Sequence, residues 1–268
     1  MLVPPEALNA DYAELDDPAF RGWVHRGFLA AVPFPEWIVT TKPAADAMIK
    51  DSPQTMVYRL AHPRWGGDVI VKRFNRPGPW AAWKDLLRTP RALGSFRRGT
   101  EFLREGIPTP APLAALAPRR GGPFSWLVTR VAPGFRSLSK VLEETPPGHA
   151  GRRNLLEELC NLIREMHRRH VYHGDLKPPN ILVRADIDCL RLSLIDLDAA
   201  RIRQRFSWSL AVKDLGQLDS YLRPEAPGFE RRRFFTLYTA GWSRADRRRF
   251  LVGVIRESDR KGARRCAG

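Results

Sequence analysis

Cysteine is scarce: Cys160, Cys189 and Cys266 are odd in number, far apart and without a C-x-x-C pair. That excludes a disulfide framework and a thiolate zinc site. No apolar run reaches 18 residues, so no segment reads as a membrane-crossing helix. Glu6, Asp11, Glu14, Asp16 and Asp17 stand where a secretory signal would be basic and then apolar, and the expected location is the cytoplasm. Neither an internal repeat nor an RNA-binding signature occurs, so no specific nucleic-acid binding is expected. Negative charge is also short, with 29 Asp plus Glu against 45 Lys plus Arg, a net charge of +16. Such an excess attracts anionic partners, and it fits a peripheral contact with an anionic inner-membrane surface.

The residues that are present concentrate their chemistry in His173-Gly174-Asp175-Leu176-Lys177-Pro178-Pro179-Asn180, followed by Leu194-Ile195-Asp196-Leu197-Asp198. Phosphoryl transfer needs a base and a metal ligand about this far apart, and Asp175 and Asn180 keep the five-residue spacing of a kinase catalytic loop. Lys177 lies between them, where it would donate to a γ-phosphate. Asp196 follows Asn180 by 16 residues (196 − 180), room for a strand at Ile181 to Val183, a polar turn at Arg184 to Asp188, and a return at Leu190 to Ile195. Such a hairpin brings Asp196 back beside Asn180, where its carboxylate would bridge Mg2+ to phosphates. One motif alone could be a proline-rich hydrophilic turn. Two at this separation, each after an apolar run, argue for the catalytic reading.

Upstream, Asp68-Val69-Ile70-Val71-Lys72-Arg73-Phe74 reads as a strand that presents Lys72 to nucleotide phosphates. Helical spacing from Arg91 to Glu105 offers Glu101 or Glu105 as the partner of Lys72, with Glu101 preferred; either could equally be an exposed mate for nearby arginines. No glycine-rich loop precedes the lysine. The tip of the first hairpin, within Ala47 to Leu60, is Ser52-Pro53-Gln54-Thr55, so phosphate cover would come from Ser52, Thr55 and backbone amides. Trp80 and Trp83, with Arg73, Arg76 and Lys84, invite a nucleic-acid reading through stacking on bases, against which the segment Phe74 to Arg88 reads better as an insertion after the lysine strand of the kind that a family adds to touch acceptor or membrane.

Taken together with Ser95 to Gly99, Gly106 to Pro110, Leu127 to Val131 and Lys213-Asp214-Leu215, these segments resemble the bacterial lipopolysaccharide core kinases. Those enzymes phosphorylate heptose or Kdo sugars on a protein-kinase-like fold. The resemblance implies an α+β fold of two lobes, with a small antiparallel-sheet N-lobe and a mainly helical, shortened C-lobe. It implies an N-terminal leader at 1–35, a nucleotide lobe at 36–131 and a catalytic lobe at 132–268. Carried over by position, Lys72 would hold the phosphates of ATP, the backbone of Thr129 to Val131 would meet adenine, Asp175 would be the base and Lys177 would steady the γ-phosphate. Asn180 and Asp196 would bind Mg2+, and Asp214 would brace the loop. The implied acceptor is a sugar hydroxyl on a glycolipid or related glycoconjugate.

Departures from the protein-kinase pattern sharpen this. Gly174 replaces the Arg of H-R-D, removing the cation that senses a phosphorylated activation segment. Only 17 residues lie between Asp196 and Asp214 (214 − 196 − 1), too few for a peptide-docking segment, and A-P-E is missing there. Three other readings stay open: a small-molecule kinase of the aminoglycoside or choline type, a compact atypical protein kinase, and a pseudokinase scaffold.

Later segments read as helices at Leu138 to Glu144 and Arg152 to Arg169, the second with an apolar stripe of Leu155, Leu156, Leu159, Leu162, Ile163 and Met166. His167, His170 and His173 lack a clear fourth metal ligand, which favours structural roles. Arg244 to Arg256 is amphipathic, with Phe250, Leu251 and Val254 opposite arginines; core packing explains that face more often than membrane insertion.

Overall fold

The computed structural model describes residues 11–75, 89–120, 122–186 and 189–266; the segment bearing Arg76, Trp80, Trp83 and Lys84, and the Cys266 side chain, lie outside the described residues. Two compact units emerge, Met1–Arg104 with Pro110–Pro133, and Glu105–Thr109 with Gly134–Gly268.

The first unit is an antiparallel sheet of seven strands: β1 (Tyr12–Glu14), β2 (Phe20–His25), β3 (Met48–Asp51), β4 (Thr55–His62), β5 (Gly67–Asn75), β6 (Pro112–Pro118) and β7 (Phe124–Arg130). Their spatial order is β1-β2-β6-β7-β5-β4-β3. In β5 the two-residue period puts Val69 and Val71 into the core, and both are fully buried. Helix α3 (Arg91–Arg104) packs Ala92, Leu93 and Phe96 with Trp23, Phe74 and Ala115, and Trp23 stacks on Phe96 at 5.8 Å. A second cluster joins Val24, Tyr58, Val69, Val71 and Val128 to Phe28, Val32, Phe34 and Ile38 from the short helices α1 (Arg26–Ala31) and α2 (Glu36–Thr40) and their flanks. The stretch read as a leader thus supplies two strands and a helical cover. Burying Phe28 and Ile38 contributes roughly 2 to 3 kcal/mol each, which holds so short a segment in place.

The second unit is mainly helical: α4 (Leu138–Glu144), α5 (Ala150–Arg168), α6 (Trp208–Leu222), α7 (Gly228–Tyr238) and α8 (Arg244–Cys266). The predicted stripe of α5 is core, with Leu155, Leu156, Leu159, Ile163 and Met166 buried. Arg152, also buried, pairs with Glu230 of α7 at 2.9 Å and donates to the carbonyls of Leu142 (3.1 Å) and Thr145 (2.9 Å). A buried charge is tolerable when its donors are matched in this way. Helices α6 and α8 approach closely at Gly216, where a Cβ would lie 2.6 Å from Cβ of Glu257. The buried Phe250 and Val254 make the apolar side of α8 a packing face. Among the described residues no helix is long and apolar enough to cross a membrane.

Five short strands complete this unit: β8 (Arg136–Ser137), β9 (Val171–Tyr172), β10 (Ile181–Ala185), β11 (Leu190–Leu194) and β12 (Arg201–Ile202). β10 and β11 form the expected hairpin, from Ile181 opposite Leu194 to Ala185 opposite Leu190.

Candidate active site

The second unit holds the candidate catalytic and metal-ligating residues, Asp175, Lys177, Asn180 and Asp196. Strand β9 feeds the loop that carries Asp175, a one-turn helix at Pro178–Asn180 follows, and β10 leaves from it. The returning chain donates from the Ile195 amide to the Asn180 carbonyl at 3.0 Å, which sets Asp196 beside the loop. Asp196 adopts a left-handed conformation (φ 63°), sparsely populated by residues other than glycine and most tolerated by Asp and Asn.

Three groups converge on the Asp175 carboxylate. Oδ2 accepts from Lys177 Nζ at 2.7 Å and from Asn180 Nδ2 at 3.2 Å, and Oδ1 accepts from Gln217 Nε2. Burial alone would raise the Asp175 pKa, but the hydrogen bonds from Lys177 and Gln217 outweigh it and hold the carboxyl below its ordinary value. For Lys177, burial opposes the charge, and the bond to Asp175 reverses that and raises its pKa. The pair is therefore ionised at neutral pH.

Beneath the loop, the buried carboxylate of Asp214 on α6 accepts the His173 amide at Oδ2 (2.8 Å) and the Gly174 amide at Oδ1 (2.7 Å). His167 bridges Asp214 (3.2 Å) and Tyr238 (2.7 Å). His173 faces the Ile195 carbonyl with Nε2 at 3.0 Å, so Nε2 carries the proton and Nδ1 accepts the Asp175 amide at 3.3 Å. Burial pushes the His173 pKa down, keeping the neutral form that this arrangement needs. Both rings therefore orient the loop. Gly174 has φ 79°, and a Cβ there would lie 2.9 Å from the Ala199 carbonyl carbon. The Arg of H-R-D has no room at this position.

In the first unit, Lys72 sits mid-strand in β5, opposite Val57 and Leu127, with Nζ 4.8 Å from the Phe74 ring centre. Glu101, expected to pair with Lys72, pairs instead with Arg97 one turn away on α3 at 3.1 Å, the favourable i, i+4 geometry. Ser52 and Thr55 close the β3–β4 turn on each other: Ser52 Oγ lies 2.9 Å from the Thr55 carbonyl, 3.2 Å from Thr55 Oγ1 and 3.2 Å from the Thr55 amide. In this structure their hydroxyls bond within the turn, and the expectation that they offer phosphate cover stays an expectation. Asn75 ties the same tip down, its amide donating to the Gln54 carbonyl at 2.9 Å. Thr129 lies inside β7 opposite Ile70, and the Val131 amide, just past the strand, makes a long 3.4 Å bond to the Asp68 carbonyl.

Sequence reasoning did not single out Gln217, Lys261 or Asn75. Gln217 was within reach, since it follows Asp214 by one helical turn and shares its face. Lys261 Nζ donates to Gln217 Oε1 at 3.0 Å across a separation of 44 residues, for which the sequence carries no local signal.

The donor set also bears on metal chemistry. No cluster of three or more His, Cys, Asp or Glu suited to a metal occurs among the described residues. What Asn180 and Asp196 offer is hard oxygen, one amide and one carboxylate. That suits Mg2+, which takes few protein ligands and completes its shell with phosphates and water.

Comparison with known proteins agrees with this architecture. The chain is 24% identical over 109 residues to myosin light chain kinase A of Dictyostelium discoideum, covering 40% of this chain and 36% of that protein. It is 30% identical over 122 residues to the human serine/threonine-protein kinase/endoribonuclease IRE2, covering 45% of this chain and 13% of that one. The chain thus spans well under half the length of these curated relatives. A solved structure described as WaaP in complex with acyl carrier protein superposes with a TM-score of 0.61 at 20% identity, covering 87% of this chain and 92% of that one. Antiparallel sheet unit and helical unit together are the protein-kinase-like fold. The model of the lipopolysaccharide kinase (Kdo/WaaP) family matches residues 80–253, and the chain belongs to that family.

Proposed function

We propose that this protein transfers the γ-phosphoryl group of ATP, with Mg2+, to a sugar hydroxyl of a lipopolysaccharide core or related glycoconjugate, acting from the cytoplasm at the inner-membrane surface. The observation that carries this reading is the Asp175 carboxylate, kept ionised and aimed by Lys177, Asn180 and Gln217 on a loop fixed from below by Asp214. Asp175 accepts the hydrogen bond of the attacking hydroxyl and takes its proton as the bond to the γ-phosphorus forms and the bond from that phosphorus to the β–γ bridging oxygen breaks, so that ADP leaves. A low pKa suits that role, because in a loose transition state the proton leaves late and orientation matters more than basicity.

Lys177 leaves Asp175 for the transferring phosphate when nucleotide binds, and Lys72 holds the other phosphates. Asn180 and Asp196 would hold Mg2+, which would supply positive charge against that of the phosphates. The short stretch between Asp196 and Asp214 supports a small polar acceptor over a peptide. The remaining readings are separated by one assay: transfer of labelled phosphate to dephosphorylated core oligosaccharide, an aminoglycoside and a generic protein. Transfer to the oligosaccharide is expected, with Asp175→Asn slower by about 10²- to 10⁴-fold while ATP binding persists. Transfer only to protein or aminoglycoside, or none to any acceptor, would overturn the proposal.

A further inference from the structure

The segment between β12 and α6 forms a concavity of about 410 Å³ in the helical unit. Arg201, Arg203, Arg205 and Lys213 line it together with the hydroxyls of Ser207 and Ser209, and none of its lining residues is acidic. Several other arginines of this unit are matched: Arg231 and Arg223 hold Asp219, Arg233 holds Glu157, Arg168 and Arg169 hold Glu165. The four basin cations form no ion pair with any described carboxylate. Four like charges around one hollow repel one another, and no carboxylate among the lining residues offsets that.

The basin opens beside the start of α6, a helix of 15 residues whose N-cap Ser207 makes no side-chain capping bond. The Ser207 hydroxyl lies 3.2 Å from that of Ser209, and the positive end of the helix dipole adds to the attraction for an anion. The basin is also registered to the candidate active site. Arg201 pairs with Tyr172 of β9, the Arg203 amide donates to the His170 carbonyl at 3.0 Å, and the Ser207 amide donates to the Tyr172 hydroxyl at 2.6 Å. Tyr172 precedes Asp175 by three residues, so their Cα atoms are at most about 11 Å apart. An adjacent antiparallel strand adds about 5 Å. These figures set an upper limit on the backbone separation, within which one or two sugar rings could link an anionic group in the basin to a hydroxyl at Asp175.

We infer that this basin is a phosphate-binding subsite that seats a phosphate group already present on the acceptor and so positions the hydroxyl to be phosphorylated. The inference rests on the proposed sugar-kinase activity and names the class of acceptor: a saccharide that arrives carrying a phosphomonoester. The chemistry would equally suit the phosphate of a lipid headgroup, and the experiment separates the two sources.

The test uses the full chain and the double variant Arg203→Gln, Arg205→Gln, whose side chains are exposed and outside the active-site machinery. Acceptors are phosphorylated core oligosaccharide and the same oligosaccharide after phosphatase treatment. With the unmodified protein, dephosphorylation should raise KM about tenfold or more. The variant should show that raised KM for both acceptors, with kcat within about twofold, as expected for losing charge-assisted contacts common to ground and transition states. An unchanged KM for the phosphorylated acceptor would overturn the inference. So would a variant that keeps that KM but no longer floats with vesicles containing phosphatidylglycerol, which would make the basin a headgroup site.

Calorimetric binding of the phosphorylated oligosaccharide to an Asp175→Asn background needs no turnover, and so distinguishes failure of the subsite from failure of the kinase reading. Binding weakened about tenfold by the arginine changes, and by inorganic phosphate as competitor, supports the subsite even if no acceptor is phosphorylated. Binding that ignores both, or no binding at all, refutes it.

Discussion

Replacing Gly174 by alanine adds one methyl group to the loop and tests its construction directly. At φ 79° an L-residue gives up about 1 to 2 kcal/mol in the left-handed region. A Cβ would also lie 2.9 Å from the carbonyl carbon of Ala199 and 3.0 Å from its Cβ, well inside the 3.5 to 4.0 Å at which carbon atoms rest. Backbone must move to relieve it, which brings the expected loss to about 2 to 4 kcal/mol. Gly148→Ala is the control, because it has a similar φ of 82° but nothing within 4 Å of the added atom, and it should lose only the conformational part. Because the Gly174 amide is held at 2.7 Å by Asp214 and Asp175 follows directly, the shift reaches the carboxylate, and a displacement near 1 Å lowers kcat by about 10²-fold. Urea denaturation followed by circular dichroism gives the first quantity and steady-state phosphate transfer the second. If Gly174→Ala matched Gly148→Ala in stability and kept full activity, the steric account of the H-G-D loop would be wrong.

Three further outcomes follow from the same geometry. Gln217→Leu removes the donor to Asp175 Oδ1 and leaves Lys261 without its acceptor, so kcat should fall about tenfold and the acid limb of its pH profile should move upward; an unmoved acid limb refutes a positioning role. Asp214→Asn keeps one acceptor oxygen but loses the charge that holds two buried amides and His167, and should cost about 3 to 5 kcal/mol, with a loss under about 1 kcal/mol counting against the brace. His173 is buried with its pKa pushed down, so the unfolded chain binds a proton that the folded one refuses. Stability is therefore intact above pH ~6.5 and falls as pH drops below it, by up to about 1.4 kcal/mol per pH unit from this group. Urea midpoints from pH 7.5 to 5.5 should show that slope, and His173→Gln should flatten it; equal slopes would assign the effect elsewhere.

The parts of this fold that the sequence announces are those whose signals are local. Asp175 and Asn180 stand out by their five-residue spacing in one loop and Asp196 by the hairpin of fixed length that separates it from Asn180, and β10 and β11 pair in the register that length requires. The stripe of α5 and the alternation of β5 are similarly periodic. Residues 12–38 were harder to read, because β1 has three residues and β2 six, too short to display alternation, and only burial of Trp23, Phe28 and Phe34 reveals them as part of the sheet unit. Glu101 shows the limit of motif transfer: a glutamate at the right place on a helix rich in arginine finds a nearer partner in Arg97. Ser52 and Thr55 show another, since small hydroxyl residues that suggest phosphate cover also suit closing a two-residue turn.

The 17 residues between Asp196 and Asp214 explain why a shortened segment can still organise an acceptor (214 − 196 − 1). Six of them are used at once, in a single turn at Leu197–Ala199 and in the strand pair of Arg201–Ile202 with β9, preceded only by Ala200. From Trp208 onward the chain is already α6, and Ser207 is pinned to the Tyr172 hydroxyl. What is left is the arc from Arg203 to Phe206, tied at its start by the Arg203 amide to the His170 carbonyl and too short to lie along a peptide. An arc of that length can present charged side chains but cannot build a groove, which fits the proposed recognition of a compact, charged feature of the acceptor. The same bonds that tie the arc to β9 tie it to the strand from which the catalytic loop emerges, and any anion it holds is thereby held at a fixed span from Asp175.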